Sequence, residues 1–313
     1  MRRIGLSMYQ NVKLAAVGLV ALALTACSGN GSSMPMVQHP TTQQSISGGV
    51  DLSKVHIMRT RFSIAPSSIP NNNNLQYFGG PVEVTPHVYA IFWGFNVSGS
   101  DPSGEKAYVT SLFKGLGGST WMATDKQYYQ IVGSVTKHIK NPTGQLSGTW
   151  VDSSSVPSAP SDSQIRAEAA AGEAHFGYNK NGNYIVFTPH GHNTPGFGSS
   201  FCAYHSPTSS GGGEISYTDE PYMTDAGQNC GENSVNPGSG GLLDGVSIVV
   251  GHEEAESQTD PQVNLNTAWA GNLGEIGDAC AWQNLQDITL STGKFAMQPL
   301  WSNKISGCTQ HTP

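Results

Sequence analysis

Charge is scarce in this chain. Asp, Glu, Lys and Arg make up 12% of the 313 residues, with 15 basic residues against 22 acidic ones. The Lys and Arg residues form no cluster, and phosphate neutralisation needs clustered cations, so nucleic acid is not an expected partner. Long charged amphipathic helices are few, while Gly numbers 38. That balance predicts strands and long connections rather than a helical bundle. No G-x-S-x-G elbow is present, which removes the usual anchor of a serine hydrolase. No Gly-rich stretch leads into Lys-Ser or Lys-Thr, so there is no phosphate loop. There is no C-x-x-C pair of the kind that holds a structural zinc, and no internal repeat. Beyond residue 26 no apolar run is long enough to span a bilayer.

What is present starts with a targeting signature. Arg2 and Arg3 precede an apolar run from Leu14 to Leu24, which ends in Leu24-Thr25-Ala26-Cys27. This predicts a lipoprotein signal peptide over residues 1–26, removed before a lipidated Cys27. The expected destination is the bacterial cell envelope, with the lipid on Cys27 as a membrane anchor. Residues 27–76 are polar and punctuated, including SGNGSS and PNNNN, and read as a flexible tether. Residues 77–313 read as a single domain. The four remaining cysteines form an even set, which in an exported chain predicts two disulfides. Of the three pairings, Cys202–Cys230 with Cys280–Cys308 is favoured, because neither loop crosses the other. Each closure is expected to contribute roughly 3 kcal/mol.

Within the domain, Val88 to Trp93 is a continuous apolar run and predicts a buried strand. Lys106 to Leu116 and Ser163 to Phe176 have helical spacing, the second capped by Asp162 or Ser163. Tyr128 to Val135, Gly148 to Val151 and Tyr184 to Thr188 read as strands. Residues 189–241 show little regular pattern and read as long Gly-rich loops tied by disulfides. Asp244 is the expected cap of a further helix, which Pro261 stops. The expected fold class is α/β, a mixed sheet with a few helices, zincin-like in its central helix.

That helix carries Val246 to Asp260, VSIVVGHEEAESQTD. His252 and Glu256 are one turn apart on one face. With Glu253 between them the motif is H-E-x-x-E, one letter from the H-E-x-x-H zinc helix. Such a helix supplies two metal ligands and a base beside the bound water. His252 and Glu256 are therefore the expected ligands and Glu253 the expected catalytic base. Glu275 and Asp278, in Gly-Glu-Ile-Gly-Asp, are candidates for the third ligand. The expected cofactor is a divalent metal, zinc first, with manganese, calcium or iron admitted by the acidic ligand set. His190 and His192 follow a strand and are further candidates, although surface loop histidines are commoner. His205, close to Cys202, reads as packing near a disulfide.

The order of His252-Glu253, Glu256, Thr259-Asp260 and Glu275 is similar to that of thermolysin-like zinc peptidases, with Glu256 where those have a second histidine. A wider series also stands out: Gly79-Gly80-Pro81-Val82, Val88-Tyr-Ala-Ile-Phe-Trp-Gly, Tyr184-Ile-Val-Phe-Thr, Phe201-Cys-Ala-Tyr-His and Asp244-Gly-Val-Ser. His252-Glu253, Ala255-Glu256, Thr259-Asp-Pro, Ala268-Trp269 and Glu275-Ile-Gly-Asp-Ala-Cys continue it. This series resembles the phosphate-induced protein or EXORDIUM family over residues 77 to 285. The resemblance implies that Glu256 is the family's own residue rather than a replaced histidine. It also implies an extracellular, wall-associated protein and brings no reaction with it. Three readings follow. The first is an exported lipoprotein with a metal-dependent, peptidase-like hydrolase site acting on a peptide or cell-wall substrate. The second is a non-catalytic EXORDIUM-like extracellular protein. The third is a wall- or carbohydrate-binding module using Trp93, Trp121, Trp269, Trp282 and Trp301.

Overall fold

The computed structural model describes residues 50–63 and 74–312. The expected signal peptide and Cys27 lie outside them. In chain order the strands and helices begin with β1 (His56–Arg59), β2 (Gln76–Tyr77), β3 (His87–Trp93), α1 (Glu105–Leu116), β4 (Tyr129–Val132) and β5 (Val135–His138). Then come β6 (Leu146–Asp152), α2 (Asp162–Phe176), β7 (Gly182–Phe187), β8 (Phe201–Ser210), β9 (Gly213–Glu220) and α3 (Asp244–Thr259). The C-terminal part holds β10 (Trp269–Ala270), β11 (Gln286–Leu290), β12 (Gly293–Met297), β13 (Leu300–Ser302) and β14 (Gly307–Thr309).

The main sheet has six strands in the order β1-β8-β9-β7-β3-β6. β6, β3, β7 and β9 run parallel, whereas β8 and β1 are antiparallel additions at one end. The apolar run of β3 is explained by helices on both faces. Ala90 and Phe92 enter the core shared with α1 and α3, and Ile91 and Trp93 enter the core under α2. Asp101 caps α1 by accepting from the Glu105 and Lys106 amides. Ser161 and Gln164 form a capping box at the start of α2, so the cap is one residue earlier than the sequence suggests. Gly172 lets α2 lie on the sheet, since a Cβ there would meet Ile91 Cδ1 at 2.1 Å.

Three expectations need correction. Residues 50–63 are not tether: Val50, Leu52 and Val55 are buried, and His56–Arg59 is a strand of the main sheet. The stretch 189–241 is not all loop, because it contains the β8–β9 hairpin, paired from Tyr204↔Asp219 to Ser210↔Gly213. Both segments escaped notice because their polar positions point into the protein, so apolar alternation did not mark them. Finally, Asp244 is not the helix cap. Leu243 holds that position, and the Asp244 carboxylate accepts from the Val235 and Asn236 amides instead.

The two disulfides are Cys202–Cys230 and Cys280–Cys308, each with a separation of 28 residues. They fit an oxidising compartment. Among the described residues no helix is long and apolar enough to cross a membrane. Trp121 and Trp301 are buried and hydrogen-bonded through their indole N–H, which removes them as sugar platforms.

Candidate metal centre

α3 is the element that sets the site. All 16 of its residues are buried. A helix enclosed on every side is usually apolar all round. Here the second half reads His-Glu-Glu-Ala-Glu-Ser-Gln-Thr, so each of those polar groups must find a partner inside the protein. The sheet supplies them. Asn183 on β7 donates to Glu254, and Ser216 on β9 meets Ser257. On β1 and β8, His56 and His205 are direct cross-strand partners, which places both rings on the sheet face under α3. Their ring centroids are 5.5 Å apart.

Four segments therefore converge. β1 brings His56, β8 brings His205, α3 brings His252, Glu253 and Glu256, and the turn after β10 brings Glu275 and Asp278. His205, His252, Glu253 and Glu256 are fully buried, and Glu275 is 2% exposed. The side chains of His56 and Asp278, at 22% and 20%, form the edge nearest solvent.

Glu256 lies in the middle. Its Oε1 accepts from the Asp278 amide and is 3.1 Å from His252 Nε2. Its Oε2 has no hydrogen-bond partner among the described residues, yet is 3.6 Å from His56 Nε2 and 3.7 Å from His205 Nδ1. Those separations are too long for hydrogen bonds. They lie at or just beyond the spacing of two donors around one ion, about 3.3–3.6 Å for bonds of about 2.0–2.2 Å in a tetrahedron. Asp278 joins from the other side, with Oδ2 at 2.6 Å from His56 Nε2 and Oδ1 at 3.7 Å from His252 Nε2. The far nitrogens are held from outside. His252 Nδ1 is 3.3 Å from Gln298 Oε1, and Gln298 is fixed by donating to the Gly277 carbonyl. Glu275 spans two rings, facing His56 Nδ1 at 3.4 Å and His205 Nε2 at 3.6 Å. Gln298 is an outer acceptor of the kind that fixes tautomer and ring orientation at metal sites.

The electrostatics follow from this crowding. Burial lowers the His205 pKa to about 3. Burial also disfavours charge on His252, but Glu256 outweighs it and the pKa rises to about 9. His56 goes the same way, well above the usual histidine value, because Glu275, Asp278 and Glu256 overcome its desolvation. Burial lifts Glu253 to about 7, and for Asp278 the cost of burial is overcome by His56, which draws its pKa down to about 2. The surrounding carboxylates thus favour the charged forms of His56 and His252. A divalent cation is the chemical alternative to those protons.

The expected ligands His252, Glu256, Glu275 and Asp278 do meet, but the last two differ in position. Asp278 faces the inward nitrogens, whereas Glu275 lies along the outer edges of two rings. Glu253 sits otherwise than a free base would. Its Oε1 accepts from the Met58 amide at 3.2 Å and its Oε2 is 3.0 Å from His205 Nδ1. His205, read from the sequence as a neighbour of a disulfide, is at the heart of the cluster. His56, in the supposed tether, is also part of it. His190 pairs with Asp225 and His192 with the Pro157 carbonyl, both away from the centre. Local pattern marked neither histidine: Ile57 and Tyr204 beside them are apolar, but the positions facing α3, the two histidines included, are polar. Gly277 was also missed: a Cβ there would meet His252 Nδ1 at 2.7 Å and Glu256 Oε1 at 2.9 Å. Comparison with family models, with curated proteins and with solved structures gives no match.

Proposed function

We propose that this domain binds a divalent cation through His56, His252, Glu256 and Asp278, and that the site is of the metal-dependent hydrolase type, acting on a peptide or amide bond. The observation that supports this most is Glu256 Oε2, fully buried, without a hydrogen-bond partner among the described residues, and 3.6 and 3.7 Å from two imidazole nitrogens. Zinc is the first candidate, and the carboxylate-rich set also suits manganese. The solvent-facing edge at His56 and Asp278 is where an open coordination position and a substrate carbonyl would lie. The helix is zincin-like in offering two ligands one turn apart, while the remaining donors come from the sheet and the Glu275–Asp278 turn. We also propose export as a lipoprotein, anchored to the bacterial envelope through Cys27.

Metal analysis of the purified mature chain tests the site. After dialysis against micromolar zinc or manganese, the wild type is expected to retain at least one equivalent and Glu256→Ala to lose it. A wild type that retains none sinks the proposal. Hydrolysis is then assayed on a peptide and amide library with loaded and chelated protein. A second reading has its own support: Glu253 is enclosed by Met58 and His205, which leaves no free carboxylate at the solvent edge. On that reading the centre is a structural cation site in an EXORDIUM-like extracellular domain, and the loaded protein turns over nothing. Detergent partitioning of wild type against Cys27→Ser tests the anchor.

A further inference from the structure

The cluster contains more than one ion requires. Four carboxylates, Glu253, Glu256, Glu275 and Asp278, are grouped with three histidines. Three histidines and four carboxylates are more donors than the three or four protein ligands that one zinc-type site takes. The donors also divide into two sets. His56, Glu256 and Asp278 offer ligand atoms all within 4.8 Å of one another, and so do His205, Glu253 and Glu256. Glu256 belongs to both, and its unpaired Oε2 faces the inward nitrogen of each histidine.

We infer that the centre is binuclear: a second divalent cation sits between His205 Nδ1, Glu253 Oε2 and Glu256, with the Glu256 carboxylate bridging it to the first. This rests on the metal-site reading above and extends it. His205 must then carry its proton on Nε2, the nitrogen that faces Glu275 Oε2 across 3.6 Å. Met58 N–H holds the other Glu253 oxygen and so aims Oε2 into the gap. Glu253 becomes a ligand rather than a free base. Two ions about 3.5–4 Å apart would flank a bridging water, and that pair takes over the activation expected of a helix glutamate. The substrate class widens accordingly from an amide to an ester or phosphoester as well, with the reacting oxygen reaching the edge at His56 and Asp278.

The test is stoichiometry on the full mature chain. Chelated protein is titrated with manganese, with bound metal measured by mass spectrometry and the spin state by electron paramagnetic resonance. The expected result is two equivalents and an exchange-coupled manganese pair. Glu253→Gln and His205→Ala should each hold one equivalent and show only an isolated-ion signal, while circular dichroism reports that they remain folded. A wild type that saturates at one equivalent overturns the second position and leaves the metal site standing. A wild type that binds none overturns both. Should both variants fail to fold, the wild-type stoichiometry and spectrum decide the question on their own.

Discussion

Gly277→Ala separates a metal centre from a merely polar core. Gly277 has φ −81° and ψ −43°, a conformation any residue adopts. On backbone grounds alone alanine would stabilise the fold by about 0.4–1 kcal/mol through the unfolded chain. Space decides the opposite sign. The new Cβ would lie 2.7 Å from His252 Nδ1 and 2.9 Å from both His252 Cε1 and Glu256 Oε1. Ordinary contact begins near 3.4 Å, so the ring and carboxylate must retreat by 0.5–0.7 Å. Overpacking of this kind costs about 1–3 kcal/mol, which leaves a net loss of between about 0 and 2.5 kcal/mol. The retreat also breaks the 3.3 Å approach of His252 Nδ1 to Gln298, whose amide donates to the Gly277 carbonyl. Loss of such outer support typically lowers metal affinity about 10–100-fold. Isothermal titration with zinc, alongside a denaturant melt, measures both effects. An alanine variant that is more stable and binds zinc within a factor of about three of the wild type would refute the reasoning.

Other outcomes follow from the same structure. His56→Ala and His205→Ala should each weaken zinc binding by roughly tenfold or more in the same titration, although neither lies in the helix motif. His190→Ala should leave it unchanged, since His190 pairs with Asp225 outside the cluster. Reduction of Cys202–Cys230, which closes 28 residues, should lower stability by about 3–4 kcal/mol in a denaturant melt. It should loosen the metal as well, because Cys202 and His205 share β8; equal midpoints with and without reductant would contradict this. Burial raises Glu105 from 4.5 to about 7 against the hydrogen bonds it accepts from Met223 and Thr224. Its contribution is fully present below about pH 4.5 and is lost as pH rises to 7, because the native state keeps a proton that the unfolded state has released. The wild-type minus Glu105→Gln stability curve should therefore fall by about 3 kcal/mol across that window and run flat above it. A flat difference curve throughout would count against the burial argument.

Much of the helical framework could be read along the chain. α1 and α2 have apolar spacing and local caps, and α3 is bounded by Pro261, so each depends on neighbours in sequence. The β3 run is legible for the same reason, as both of its faces are apolar. β8 and β9 were not legible. Their α3-facing positions, including His205, Ser216, Thr218 and Glu220, are polar and buried, so only the face under α2, with Tyr204, Ile215 and Tyr217, carried an apolar sign of burial. β1 is a short edge strand cut off by polar sequence on both sides, so nothing local distinguished it from a tether.

The sequence by itself determined that His252 and Glu256 share a helix face, because that follows from 3.6 residues per turn. An even set of four cysteines also pointed to two disulfides, with one of three pairings favoured and the structure deciding it. Only the tertiary structure decided which histidines join that face. The His56↔His205 register is a pairing between distant strands, and no local preference specifies it. The role of Glu253 was decided in the same way. Its place beside His252 in the motif points to a base, but the Met58 amide and His205 enclose its carboxylate and turn it toward a ligand's position.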